Sequence, residues 1–268
     1  MLIYGKDIRN KIKDKVTAAA SQSQMTMAIV QVGEEADSEV YVRNLIKFGN
    51  ETGVKVDFHK LPEDTTEEEL LKLIKGLNED AEITGIMLQE PLPAHINSDF
   101  IVDNIDPKKD VEGVHNYNLG KLISKQKGAF PSTAKAIVTM LKEFNIPIEG
   151  KKVVIVGRST IVGHPLANMM TAEHGTVTLC HSRTVDLAGE TRQADILIAA
   201  IGKAEFITAD MVKEGAVIID AGINFNEEGK MLGDVHPDAK DKASYASAVP
   251  GGVGVITVAE LFDNLCML

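Results

Sequence analysis

The sequence predicts an α/β protein of two domains, the second of them a Rossmann-type nucleotide-binding domain. Short apolar runs typical of buried parallel strands alternate with segments of helical periodicity from one end to the other. The alternation restarts near residue 131, and 268 residues, 44% of them hydrophobic, are enough for two ordinary domains. Such alternation favours parallel sheets covered by helices.

The first half of the chain contains three predicted helices and three predicted strands. In order they are a helix at 3–20, a strand at 25–33, a helix at 38–53, a strand at 54–61, a helix at 65–80 and a strand at 83–93. The third helix begins with a Thr/Glu capping pattern, and the third strand runs into the proline-rich turn QEPLP. These elements predict an α/β domain.

The second half begins with a predicted connecting helix at 131–144. Four short apolar runs follow, at 151–157, 176–182, 194–202 and 216–225, and each is closed by polar or glycine residues. The segment KQKGAFPS marks a boundary near residues 125–133. We therefore expect one domain at 1–130, a second at 131–254, and a final helix within 255–268 that packs back on the first domain.

Composition argues against several classes of partner. With 28 Lys+Arg against 39 Asp+Glu, the net charge of −11 disfavours nucleic acid and anionic membrane surfaces. The N-terminus lacks an apolar signal core, and no apolar run approaches the roughly 18 residues that a spanning helix needs. The two cysteines, Cys180 and Cys266, form neither a metal-spaced pair nor a disulfide framework. We expect a cytoplasmic protein without a metal site.

A glycine-containing loop is the first candidate binding feature. In VVIVGRSTIVGHP, Gly157 follows an apolar strand and Gly163 opens a helix, with Arg158 and Ser159 between them. Backbone N–H groups and the positive helix end can then face a diphosphate. The spacing differs from G-x-G-x-x-G, so an ordinary strand-to-helix turn remains an alternative.

The end of the next strand indicates which dinucleotide the loop would hold. Sites that select NAD usually carry an acid there, but this sequence has HSRT, with Ser182 and Arg183. A donor and a positive charge suit a 2′-phosphate, which favours NADP over NAD. Taken singly, Arg158 and Arg183 are also consistent with solvated surface charges.

Several motifs together resemble the methylenetetrahydrofolate dehydrogenase/methenyltetrahydrofolate cyclohydrolase family. They are GIMLQEPLP, DPKKDVEGV, VGRSTIVGHP and PGGVGVIT, which occur in the family's order along nearly the whole chain. The resemblance implies two α/β domains with a cleft between them, a folate substrate, NADP as cofactor and usually a homodimer. It also implies hydride transfer from 5,10-methylenetetrahydrofolate to NADP, followed by hydrolysis of the methenyl cation to 10-formyltetrahydrofolate.

The same resemblance assigns roles to individual residues. The helix at 38–53 matches the family pattern S-x-x-Y-x-x-x-K at Ser38 and Tyr41, where the tyrosine stacks on the folate rings. Leu45 stands at the position of the family's catalytic lysine. Gln89 matches a glutamine that hydrogen-bonds near that lysine, so Tyr41 and Gln89 are the expected catalytic residues.

Further residues of the family pattern are expected to touch the substrate or the cofactor. Glu112, in DVEG, replaces the usual aspartate that grips the pterin, and Gly251 and Gly252 are expected to allow close approach to the substrate. Ile223 is expected at the cofactor. Asp220, at a strand end, is expected to fix loop backbone, and Asp234 is expected to be structural.

The change at Leu45 predicts which of the two reactions survives. Hydride transfer depends mainly on holding the substrate's methylene carbon against the nicotinamide, whereas hydrolysis needs a group that carries protons. On the same helix, Lys47 points about 120° away from Tyr41, and Arg43 does not titrate near neutral pH. We therefore expect a dehydrogenase with weak or absent cyclohydrolase activity. A non-catalytic folate or nucleotide binder and a Rossmann dehydrogenase acting on a small acid remain alternatives.

Overall fold

The structure, a computed structural model, describes residues 1–34 and 36–268, and of residues 36–38 it describes the backbone alone. The prediction for the Ser38 side chain therefore lies outside the described part. The chain divides into two compact units. The six-stranded unit comprises Met1–Asn10 and Thr133–Thr257, and the three-stranded unit comprises Lys11–Ser132 and Val258–Leu268.

Strands and helices alternate along the chain as predicted. The strands are β1 Leu2–Ile3, β2 Thr26–Val32, β3 Lys55–Leu61, β4 Gly85–Gln89, β5 Lys152–Val156, β6 Thr176–Cys180, β7 Ile196–Ala199, β8 Val217–Asp220, β9 Asn224–Phe225, β10 Met231–Leu232 and β11 Tyr245–Ser247. The helices are α1 Lys6–Ala20, α2 Ala36–Thr52, α3 Glu67–Glu79, α4 Ser98–Asp103, α5 Asn116–Ile123, α6 Ser132–Glu143, α7 Gly163–Ala172, α8 Leu187–Thr191, α9 Pro237–Asp241 and α10 Val253–Leu265.

The six-stranded unit is built on a parallel sheet of order β1-β11-β8-β7-β5-β6, with β9 and β10 forming a separate antiparallel ribbon. The strands β7 and β8 are buried along their whole length, as strands covered by helices on both faces are. From β5 the chain moves outward to β6 and then returns to the other side at β7. This reversal between β5 and β7 is the place where open α/β sheets bind ligands.

The three-stranded unit is a parallel sheet of order β3-β2-β4 with a core on each face. The central strand β2 is buried throughout, and its side chains alternate between the faces. Met27 and Ile29 join the core under α2 and α10, whereas Ala28 and Val30 join the core under α3. The predicted capping box of α3 is present, since Thr66 and Glu69 cap each other's backbone N–H.

Residues of the last helix belong to the core of the three-stranded unit. The Phe262 ring lies 4.9 Å from the Phe48 ring, centroid to centroid. The Asn264 amide donates to the carbonyl oxygens of Val111 at 2.9 Å and Phe130 at 2.8 Å. In the part of the chain that the structure describes, no helix combines the length and the apolar character needed to cross a bilayer.

The N-terminal residues differ from the prediction. The expected helix at 3–20 begins at Lys6, and Leu2–Ile3 form a strand that pairs with Ala246 and Ser247 of β11. Between them lies Gly5, where a Cβ would press on Ile256 at 2.6 Å and on Val255 at 2.8 Å. Residues 1–10 thus belong to the six-stranded unit, whereas the sequence assigned them to the first domain.

A second difference concerns the predicted strand at 216–225. In the structure it divides into β8 and β9, because the backbone turns at Gly222, whose N–H donates to the Asp220 carboxylate at 3.1 Å.

Candidate active site

Helix α2 of the three-stranded unit carries Tyr41 and Leu45 one turn apart. Tyr41 is half-buried and packs against the core that contains Phe48, Met87 and Val111. Leu45 is 0% exposed and is a member of that core. The position assigned to a lysine is therefore an apolar one, with aliphatic and aromatic neighbours.

Gln89 ends strand β4 and lies opposite Gln31 of β2 in the sheet register. It is 8% exposed, and its side-chain Nε2 donates to the carbonyl oxygen of Glu90 at 2.6 Å. This contact fixes the amide at the carboxyl end of the sheet, where ligands of parallel sheets bind.

Glu112 is held by the residues on either side of it. The Asp110 carboxylate accepts hydrogen bonds from the backbone N–H of Gly113 and of His115, both at 2.9 Å, and from the Asn118 amide at 2.8 Å. Gly113 has φ +71°, and a Cβ there would lie 2.5 Å from the Phe130 backbone. The Glu112 backbone is thus fixed, and in the described part of the chain its carboxyl has no hydrogen-bond donor.

The electrostatic environment of Glu112 and Tyr41 is shared. Burial raises the pKa of Glu112 from 4.5 to about 8, and the charges of Asp110 and Glu90 add to the effect. Burial also raises the pKa of Tyr41, and the charge of Glu112 adds to that shift. The structure therefore brings Tyr41 and Glu112 together, with a carboxyl that titrates near neutral pH beside a neutral phenol.

The loop between β5 and α7 has the backbone geometry that a dinucleotide loop needs. Gly157 has φ +129°, and a Cβ there would overlap the carbonyl oxygen of Ala200. A Cβ on Gly163 would overlap the carbonyl oxygen of Gly157. Glycine is therefore required at both ends of the loop for sterically independent reasons.

Ser159 organises the start of α7. Its Oγ accepts from the N–H of Val162 at 3.1 Å and of Gly163 at 3.4 Å, and its carbonyl accepts from the N–H of His164 at 3.1 Å. Arg158 is exposed at the beginning of the same loop. The predicted strand, loop and helix are confirmed.

Ser182 and Arg183 are exposed in a tight turn after β6. The His181 N–H donates to Thr184 Oγ1 at 2.9 Å, and the Arg183 N–H donates to His181 Nδ1 at 3.1 Å. Because β6 pairs in parallel with β5, this turn and the glycine loop follow the same edge of the sheet. Ile223, 58% exposed, follows β8 at that edge.

Gly251 and Gly252 belong to the six-stranded unit, so the structure places them in a different unit from Tyr41, Gln89 and Glu112. Gly251 has φ +97°, and its carbonyl oxygen accepts from the Gly5 N–H at 2.8 Å. A Cβ on Gly252 would overlap the carbonyl oxygen of Ala248. The close backbone packing accounts for both glycines, and their contact with substrate stays a prediction.

Sequence reasoning missed two contributors to the environment of Glu112. It gave no role to Glu90 or Asp110, although both raise the pKa of Glu112. The signal was the density of acids in the two segments QEPLP and DPKKDVEG. They come close because Asp110 pairs with Ile86 of β4, the strand that leads into QEPLP.

These features define a class: a two-unit α/β protein in which a glycine-bordered loop at the reversal of a parallel sheet is suited to a dinucleotide. Comparison with known proteins gives the family. The chain belongs to the tetrahydrofolate dehydrogenase/cyclohydrolase family, because residues 3–112 match the family's catalytic domain and residues 131–268 match its NAD(P)-binding domain. The predicted family and the Rossmann-type second domain are confirmed.

Individual relatives cover nearly the whole chain. The Bifunctional protein FolD 2 of Syntrophomonas wolfei is 60% identical over 268 residues, which is 100% of this chain and 98% of the relative. The Bifunctional protein FolD of Moorella thermoacetica is 48% identical over 96% of this chain and 93% of its own length.

Among solved structures, the bifunctional enzyme FolD from Campylobacter jejuni superimposes with a TM-score of 0.96, at 39% identity, over 100% of this chain and 97% of that one. The Trypanosoma brucei enzyme, complexed with NADP cofactor and inhibitor, gives a TM-score of 0.94 at 31% identity, over 99% of this chain and 95% of that one.

Proposed function

We propose that this chain is an NADP-dependent 5,10-methylenetetrahydrofolate dehydrogenase of one-carbon metabolism. The observation that carries the proposal is the glycine-bordered loop of the six-stranded unit, in a domain that matches the family's NAD(P)-binding model. The matching catalytic domain, with Tyr41, Gln89 and Glu112 in its motifs, supports folate as the substrate.

The preference for NADP rests on the turn after β6. Ser182 and Arg183 are exposed there and offer a donor and a positive charge to a 2′-phosphate. The relative from Trypanosoma brucei was solved with NADP, which supports the same choice. Arg158, Ser159 and the amides between Gly157 and Gly163 are the groups proposed to hold the diphosphate.

In hydride transfer the protein's task is placement. The substrate's own nitrogen lone pair stabilises the cation that develops, and NADP, when bound, accepts the hydride. We propose that Tyr41 packs on the folate rings, that Gln89 orients them, and that Glu112 accepts from pterin N–H groups. Because Glu112 is neutral below its raised pKa, folate binding would favour its ionised form and release a proton.

The second family reaction is proposed to be weak or absent. Attack of water on the methenyl carbon needs removal of a proton, and collapse of the adduct needs delivery of a proton to nitrogen. Leu45 can do neither, and its complete burial leaves no room for water to take its place. General acid/base assistance is worth about 10²- to 10⁴-fold in rate, so the loss would be large.

A second candidate is a bifunctional enzyme in which Glu112 carries the protons of hydrolysis. One observation favours it: Glu112 is a titratable group whose charge acts on Tyr41, and its pKa of about 8 suits proton exchange near neutral pH. Several relatives are bifunctional by name. Under this candidate the enzyme hydrolyses the methenyl compound without the lysine.

Assays of both half-reactions separate these functions. The dehydrogenase proposal expects reduction of NADP by methylenetetrahydrofolate, with methenyl hydrolysis close to the buffer rate. Hydrolysis comparable to dehydrogenation, lost in Glu112→Gln, would support the second candidate instead. Binding of folate and NADP without turnover would indicate a non-catalytic binder. A homodimer in the cytoplasm is proposed on the family resemblance and the composition.

A further inference from the structure

Two buried carboxylates lie at the carboxyl edge of the six-stranded sheet. Asp234 is 0% exposed, and its side chain accepts from three consecutive backbone N–H groups that follow β7. The contacts are Oδ2 with Ile201 at 2.7 Å and Gly202 at 3.1 Å, and Oδ1 with Lys203 at 2.9 Å. Oδ1 also accepts from the Asn224 amide at 2.9 Å. One side chain therefore ties together the loops after β7 and β8.

Asp220, the last residue of β8, holds Asp234 in turn. Its Oδ1 accepts from the N–H of Asp234 at 2.9 Å, and its Oδ2 accepts from the N–H of Val235 at 3.2 Å. Its Oδ2 also forms an ion pair with Lys240 Nζ at 2.7 Å. Both carboxylates are thus fully hydrogen-bonded, as buried charges need to be.

Two glycines make room for this pair. A Cβ on Gly222 would overlap Oδ1 of Asp234, and a Cβ on Gly233 would overlap Oδ2 of Asp220. Each carboxylate occupies the space that a side chain would fill on the other's loop. The carboxylate pair therefore requires glycine at both Gly222 and Gly233.

The loops after β7 and β8 lie on one side of the loop between Gly157 and Gly163. Ala200, directly before the three amides bound by Asp234, is the residue whose carbonyl oxygen leaves no space for a side chain on Gly157. The sheet reverses between β5 and β7, so the turn after β6 lies on one side of the reversal and the loops after β7 and β8 lie on the other. In such sheets a dinucleotide spans the reversal, with its adenosine half on the β6 side. The nicotinamide half would then meet the loops that Asp234 holds.

Asp234 also removes a competing anion site. Three successive N–H groups that point to one place form a concavity that binds phosphate. In this protein the Asp234 carboxylate fills it, so the loop after β7 offers no such site. The diphosphate is left to the loop between Gly157 and Gly163.

We propose that Asp234 is a positioning residue for the nicotinamide half of the cofactor. It holds the loop 201–203 and, through Asn224, the segment that carries the exposed Ile223. The inference rests on the proposed NADP-dependent function and extends it to residues that do not themselves touch the cofactor.

The test uses Asp234→Asn, which keeps the shape but turns an N–H donor towards backbone N–H groups. Binding is measured for NADP and for adenosine 2′,5′-bisphosphate, which represents the adenosine half, together with kcat and both KM values. We expect NADP affinity to fall about tenfold or more, as loss of a hydrogen bond to a charged group does. Affinity for the bisphosphate and KM for folate should stay within about twofold, in line with the modest effect of distant substitutions.

Controls keep the test decisive. Asp238→Asn removes a carboxylate from the exposed surface of α9 and should leave every constant unchanged. If Asp234→Asn does not fold, Asn224→Ala removes one of the same hydrogen bonds at a milder site and should weaken NADP binding selectively. Equal loss of NADP and bisphosphate binding, or no loss of either, overturns the inference. Failure of the wild type to bind both ligands would instead count against the proposed function.

Discussion

Exchange of Leu45 for lysine tests whether the apolar residue at this position limits hydrolysis. We expect Leu45→Lys to raise the rate of methenyl hydrolysis by about 10²- to 10⁴-fold, the usual worth of general acid/base assistance. The dehydrogenase rate should change by only a few-fold, because hydride transfer depends on placement. Both half-reactions are followed by absorbance on the same preparation.

The structure also gives the expected loss of stability. Leu45 is 0% exposed, and removal of its buried side chain forfeits about 1.5–3 kcal/mol. At pH 7, deprotonation of an amine with an ordinary pKa of about 10.4 costs at most about 4–5 kcal/mol. A lysine can extend its amine past the core towards the partly exposed Tyr41, which reduces this cost. We expect a net loss of about 3–6 kcal/mol out of a typical 5–15.

The pH dependence of that loss has a definite sign. Burial lowers the pKa of the introduced amine in the folded state, so between that value and about 10.4 the unfolded chain binds more protons. The stability of Leu45→Lys should therefore recover as pH rises through this window. Urea unfolding at several pH values measures the effect.

A volume-matched control is Leu45→Met, which should cost less than about 1.5 kcal/mol and give no gain in hydrolysis. A folded Leu45→Lys protein that hydrolyses no faster than Leu45→Met would refute the reasoning. So would wild-type hydrolysis as fast as wild-type dehydrogenation.

Three further substitutions probe other parts of the site. The pKa of Glu112 is raised to about 8, so between pH 4.5 and 8 the folded state binds more protons than the unfolded state, and the free energy of unfolding falls as pH rises. Glu112→Gln should remove about 2–4 kcal/mol of that fall. Urea unfolding at pH 5 and pH 9 measures the difference. Gly157→Ala forces a Cβ onto the Ala200 carbonyl and should reduce NADP affinity at least about tenfold. The control is Gly76→Ala in α3, where a Cβ has open space, and this change should stabilise the protein by about 0.5–1 kcal/mol. Arg183→Ser should lower kcat/KM for NADP by about 10- to 100-fold and leave kcat/KM for NAD nearly unchanged, and an equal loss for both would contradict the 2′-phosphate assignment.

The sequence predicted most of the fold because the signals of its main elements are local. Strand β2 and helix α3 each carry their own periodicity or capping residues, and both were predicted within two residues. The strand at Leu2–Ile3 was missed, since its existence depends on a partner strand at the other end of the chain. No local pattern distinguishes those residues from the start of a helix.

The candidate site was predictable where a motif fixes backbone geometry. Gly157 and Gly163 follow from a strand, a turn and a helix in succession, and the structure gives each a steric reason. The raised pKa of Glu112 could not be predicted from the sequence, because it depends on burial and on the nearby charges of Asp110 and Glu90. The binding of three loop amides by Asp234 likewise requires the tertiary fold.

The pairing of Ile3 with Ser247, and the place of Val258–Leu265 in the core around Leu45, have a consequence for synthesis on the ribosome. Neither unit can be completed early, because strand β1 needs its partner β11 and the core around Leu45 needs residues of helix α10. At about 5–20 residues per second, nascent chains spend many seconds with β1 unpaired and the core around Leu45 open. We expect the incomplete units to expose apolar surface to chaperones until β11 and α10 have been made.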